Sequence, residues 1–158
     1  MFRFFLICFI CLKSLSAESV SVAIPGLAKV GNYCFLNMLL KNTSRHKLNM
    51  FNMKIYLTNE KDFLLGDAEI SLFKLNKNQN YNTSVPINLI ENDKCKNIKN
   101  VKVFLKKCDI NKNIESENCN SLIRVADNKL NNKNLKVEIL NNKNFYNSEK
   151  NNIFYISE

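Results

Sequence analysis

The side chains in this 158-residue chain that could do chemistry are few. They are Cys34, Cys95, Cys108 and Cys119, the single histidine His46, the close carboxylate pairs Asp67/Glu69 and Glu115/Glu117, and the lysines Lys94, Lys96, Lys99, Lys102, Lys106 and Lys107. An even set of cysteines with wide spacings and no CxxC suits two structural disulfides better than a redox pair or a metal site. With only one imidazole to add to a ligand set, no metal or other cofactor is expected. Four cysteines allow three connectivities, and spacing alone does not choose among them. The pairing expected is Cys108 with Cys119, across the polar loop 109–118, and Cys34 with Cys95. Closing a loop of the shorter kind stabilises by about 3 kcal/mol in the chain-entropy model.

His46 stands between Arg45 and Lys47 in a polar turn and reads as a solvated loop residue rather than a general base. Any Ser-His-Asp or Cys-His system would have to use it, and Cys34, on a strand expected to be buried and oxidised, is a poor nucleophile. Asp67 and Glu69 face outward on a predicted strand, and Glu115 and Glu117 lie in the 109–118 loop, as solubilising charges do. No DxDxDG, HExxH or glycine-rich phosphate loop occurs, and the chain has only three glycines to build one. No catalytic residue is assigned and no enzymatic activity is expected.

The lysines are the best anion-binding candidates, because Lys102 and Lys106 share a strand face. The formal net charge is +9, and +7 without the leader cations Arg3 and Lys13. Part of that excess follows composition: Lys and Asn, the latter at 28 residues, are the residues of A/T-only codons. Arginine, the usual bidentate phosphate reader, is scarce, so nucleic acid is not an expected partner. An envelope protein, a polysaccharide or an anionic lipid surface is. Asn42-Thr43-Ser44 and Asn82-Thr83-Ser84 are glycan-acceptor triplets in predicted turns, which matter only in a eukaryotic secretory pathway and read as coincidence in so Asn-rich a chain.

The N-terminus, MFRFFLICFICLKSLSA, has the layout of a signal peptide: Arg3, an apolar run over 4–12 too short to cross a bilayer, then Ser14, Ser16 and Ala17. Cleavage after Ser16 is favoured over Ala17, and Ile7 and Ile10 before Cys8 and Cys11 exclude a lipoprotein reading. The expected address is periplasmic or extracellular, with no membrane span after cleavage. The alternative is an uncleaved signal anchor holding an accessory subunit that works through its basic face.

Downstream, the hydrophobic period is two. Val20, Val22 and Ile24 alternate until Pro25-Gly26 stops the run. Cys34, Leu36, Met38 and Leu40 follow, then Leu48 and Met50, with a bulge-like phase shift at Phe51-Asn52 before Met53, Ile55 and Leu57. Ala68, Ile70 and Leu72 come next, closed by Leu75, and then Val85, Ile87 and Leu89, where Pro86 marks an edge strand. Val101, Val103 and Leu105 alternate with Lys102, Phe104 and Lys106. This pattern predicts an all-β, immunoglobulin-like antiparallel sandwich. The expected core is Leu36, Met38, Met53, Ile55, Leu57, Ile70, Leu72, Ile87, Leu89, Val101, Val103 and Leu105. The organisation read is a signal peptide over 1–16, a sandwich over 17–107 and an irregular β-rich extension over 108–158. That extension carries strand-like islands at Leu122-Ile123, Leu135-Val137-Ile139 and Ile153-Phe154-Tyr155-Ile156.

Within residues 34–89 the order of turns is specific. Lys41-Asn42-Thr43-Ser44 ends one strand and Asn59-Glu60-Lys61-Asp62 the next. Leu64-Leu65-Gly66 follows, and a Leu-led turn from Leu75 precedes Val85. This order resembles the FxLYD and CARDB type of immunoglobulin-like domain of exported bacterial proteins, with Asn78-Gln79 in place of that family's Pro-Gly and Ile55-Tyr56-Leu57 echoing its aromatic-Leu-Tyr-Asp signature. The resemblance covers about a third of the chain. It implies extracytoplasmic adhesion, assembly or ligand display and no shared active site.

Overall fold

The computed structural model describes residues 19–44, 46–90, 94–110, 123–126 and 129–140. The leader, Cys119, Glu115, Glu117, Leu122 and the island at 153–156 lie outside the described residues. The strands are β1 (Val20–Val30), β2 (Tyr33–Asn42), β3 (Leu48–Thr58), β4 (Leu64–Leu75), β5 (Asn80–Pro86), β6 (Asn88–Leu89), β7 (Asn100–Ile110), β8 (Ile123–Val125) and β9 (Lys136–Leu140), with a short 3-10 turn at Lys94–Asn97. They form two sheets, in the orders β5-β2-β1-β8 and β6-β4-β3-β7-β9, packed face to face as an all-β sandwich. Among the described residues no helix is long and apolar enough to cross a membrane.

The alternation read from sequence builds the interior. Val20, Val22, Ile24, Leu36, Met38 and Leu40 from the first sheet meet Met53, Ile55, Leu57, Ile70, Leu72, Val101, Val103 and Leu105 from the second in one continuous core. Of the expected core only Leu89 is not buried; half-buried, it packs against the edge of that core from outside. The reason lies at Ile87. Val85, Ile87 and Leu89 share a parity but do not form one strand, because the chain leaves β5 on the first sheet and enters β6 on the second. Ile87 makes that crossing, buried, with its N–H donating to the Cys34 carbonyl at 2.9 Å.

Three local readings need correction. Pro25-Gly26 does not stop β1. The strand continues to Val30, and its pairing with β2 slips by one residue between Ala23 and Gly26, so the proline, which has no N–H to give, sits in a bulge. The irregularity of β3 is not confined to Phe51-Asn52: its register against β7 slips beside that position, between Asn52 and Met53, and also between Leu48 and Met50, where Phe51 turns inward and Met50 is left half-buried. Finally, the sheets are not wholly antiparallel. β8 lies parallel to β1 and β9 parallel to β7, so the C-terminal third contributes one strand to each sheet. A boundary at 107 would also cut through β7, which carries Cys108 within the strand.

Gly66 shows how closely β6 rides on β4. A Cβ there would stand 2.6 Å from the Asn88 carbonyl oxygen and 3.2 Å from the Leu89 Cα, so only glycine lets the backbones pair.

Candidate functional site

Cys34 and Cys95 are joined in a disulfide that spans 61 residues of sequence. It pins the 3-10 turn at Lys94–Asn97 to the start of β2. Lys29 lies directly opposite Cys34 in the β1–β2 register, so the disulfide brings a cation of β1 close to those that follow Cys95. The third wall is the turn at 131–135. Asn131 accepts the Ile24 N–H on its Oδ1 at 2.8 Å and donates to the Ala126 carbonyl at 2.9 Å. The Asn132 N–H donates to the Ile24 carbonyl at 2.9 Å, and the Lys136 N–H donates to the Lys99 carbonyl at 2.8 Å. One short segment is thereby tied to both sheets, and its Asn132 side chain accepts the Asn134 N–H, which holds the turn tight.

These walls enclose a cleft of about 320 Å³ lined by Lys29, Lys96, Lys99, Asn132 and Asn134 over an apolar floor of Leu27, Ile98, Leu135 and Cys95. Its lining residues include three lysines and two carboxamides and no carboxylate. Lys96 and Lys99 make no ion pair among the described residues. Lys99, half-buried, also borders a second hollow of about 450 Å³ lined by Asn59, Glu60, Lys61, Phe63, Leu65 and Asn97, so a carboxylate stands on that side of it. Chemically the cleft offers positive charge, amide donors and an aliphatic surface, which suits an anionic group attached to a less polar body.

The structure divides the predicted lysine strip. Lys102 and Lys106 do share the outer face of β7, but acidic residues across the sheet meet them. Lys102 pairs with Asp62 at 3.1 Å and Lys106 with Glu69 at 3.2 Å, while Lys54 reaches Asp67 at 3.6 Å and lies over the Tyr56 ring. Burial pushes the Asp62 carboxyl up, but the Lys102 ammonium and hydrogen bonds from Thr58 and Asn100 outweigh it and hold the group below the usual range. Glu69 is held low by the Asn52 amide and Lys106. Asp67 and Glu69 face outward as expected, so this face is a balanced lattice rather than a basic patch. Lys107 is exposed on the same strand, and Lys94 opens the 3-10 turn.

Asn42 is no glycan acceptor: it is fully buried at the end of β2. Asn82 stands exposed, on strand β5 rather than in a turn. His46 is exposed, as a loop residue should be. Cys108 is disulfide-bonded, and Cys119, its expected partner, lies outside the described residues.

No protein-family model matches this chain, and neither a curated protein nor a solved structure matches it significantly. The cleft is therefore read from its own chemistry. Lys29, Asn132 and Asn134 were invisible in the sequence because they reach the site from strands and turns more than sixty residues from Lys96 or in an unmarked polar spacer.

Proposed function

We propose that this protein is an exported, non-catalytic binding module that holds an anionic envelope ligand in the Lys29–Lys96–Lys99 cleft. The observation that carries the ligand class is the convergence of these three lysines, with two amides and no carboxylate, on one concave surface. A concave site with an aliphatic floor favours an acidic polysaccharide over a flat lipid surface. Export is supported by the leader-like N-terminus together with the Cys34–Cys95 disulfide, which belongs in an oxidising compartment. A kinship with FxLYD and CARDB domains would fit this role, and β2 to β6 follow the strand and turn order on which that resemblance rests.

Calorimetric titration with a sulfated oligosaccharide of defined length at low salt tests the ligand. Binding is expected, weakening as ionic strength rises. Lys96→Gln with Lys99→Gln should raise Kd roughly 30-fold, at about 1 kcal/mol per lysine. Lys106→Gln, whose cation already faces Glu69, should leave Kd unchanged. Absence of binding, or equal losses in both variants, would refute the site.

The intact mass of the natively produced protein, with and without reductant and thiol alkylation, tests the address. A chain starting at Ala17 or Glu18 with its thiols blocked is the expected result. A full-length mass with blocked thiols would instead support the anchored accessory subunit, and free thiols would overturn export.

A further inference from the structure

Strand β5 ends the first sheet on one side, with no further strand beyond it among the described residues. Its pairing with β2 runs without a register shift from Asn80 to Pro86. Which backbone groups face the open side follows from the alternation of antiparallel bonds. The Asn42 N–H donates to the Gln79 carbonyl and the Ile87 N–H to the Cys34 carbonyl, so odd-numbered residues of this segment direct their backbone groups toward β2. The N–H and C=O of Asn80, Asn82 and Ser84 consequently point outward.

Exposed sheet edges are normally guarded by lysines, bulges or prolines. Here the segment NYNTSVP has no charged residue, in a chain with 23 basic and 14 acidic ones. Its only guard is Pro86, which bounds the open run at one end. Two copies that each carry a large positive excess can approach most closely where neither presents charge, and this strip is such a place.

We propose that β5 is the contact strand of a symmetric homodimer. The outward residues fit a two-fold axis through Asn82. Asn82 pairs with Asn82 of the second copy and Asn80 with Ser84 of the second copy, giving about six backbone hydrogen bonds with no group left over. On the inner row, Tyr81, 37% exposed at the open edge, comes to lie opposite Thr83 of the second copy and is covered. An edge pairing this short places the dimer among the smaller, weaker interfaces, so it forms in the micromolar range rather than the nanomolar.

Sedimentation equilibrium of the disulfide-intact protein across that range tests the proposal. A monomer–dimer equilibrium is expected. Asn82→Pro removes an N–H that β2 does not use, so it should raise the dimer Kd about tenfold or more while leaving the fold's circular dichroism unchanged. Asn82→Lys, which sets two like charges directly opposite each other at the axis, should do the same while keeping the backbone N–H. A wild-type protein that stays monomeric at hundreds of micromolar would overturn the proposal. So would a dimer indifferent to Asn82→Lys, or a native mass carrying a glycan on Asn82, which would set two sugars against each other at the axis.

Discussion

Cys34→Ala with Cys95→Ala lowers the unfolding free energy by about 4 kcal/mol, the chain-entropy value for a loop of this size. The bond closes a loop of 61 residues that contains all of β3, β4, β5 and β6. Both cysteines are buried in the common core, so alanine leaves a small void and no stranded polar group. Against a total of roughly 5–15 kcal/mol for a small domain, this is a large share. Urea unfolding followed by tyrosine fluorescence should show the loss as a fall in midpoint. A loss below about 1 kcal/mol would mean that the unfolded chain already holds these segments together. The same variant should weaken anion binding, because Cys95 forms part of the cleft wall and its bond fixes the turn bearing Lys96.

Asn42→Ala costs about 3 kcal/mol, a large loss for one small side chain. Asn42 is fully buried, and both ends of its carboxamide are satisfied. Its Nδ2 donates to the His46 carbonyl at 2.9 Å and the Leu75 carbonyl at 3.0 Å, and its Oδ1 accepts from the Ser44 N–H at 3.0 Å and the Ser44 hydroxyl at 2.6 Å. Its backbone binds the next turn as well, donating to the Gln79 carbonyl and accepting from the Asn78 N–H. One residue thus joins the end of β2, the following turn and the end of β4. Alanine would take these partners from the buried Leu75 carbonyl and the Ser44 N–H, while the His46 carbonyl keeps the Ser44 hydroxyl at 2.9 Å. Asn42→Asp should be as damaging at neutral pH, because a carboxylate has no donor for either carbonyl. Thermal unfolding of the two variants beside Asn82→Ala checks this: the exposed asparagine of the matching Asn-Thr-Ser triplet should cost almost nothing. Equal effects at both positions would show that the buried network contributes little.

The core was legible because burial on a sheet is a local, period-two signal. Ile70, Leu72, Val101 and Val103 announce their faces through their immediate neighbours. What the period could not show is which sheet a residue joins. Val85 and Leu89 share a parity yet belong to different sheets, since the crossing at Ile87 leaves no mark in the alternation. The proline at position 25 looked like a stop because its missing N–H breaks a ladder, and the fold absorbs the break in a bulge instead. The lysine strip is divided for a related reason. Spacing places Lys102 and Lys106 on one face, but Asp62 and Glu69 reach them from other strands, and that encounter exists only in the folded sheet. Lys96 and Lys99 make no ion pair among the described residues, because the turn that faces them across the cleft brings Asn132 and Asn134.

The parallel placement of β8 and β9 bears on the order in which the molecule can be made. Val20 lies beside Ile123, about 100 residues later in a chain that grows from its N-terminus. The strand made first is therefore completed among the last, and Ile24 keeps its backbone groups unmatched until Asn131 and Asn132 arrive. A ribosome stalled, or a chain cut, before that point leaves a sandwich with its earliest edge open. C-terminal truncation thus acts on β1, which loses its parallel neighbour β8, as well as on the end that was removed.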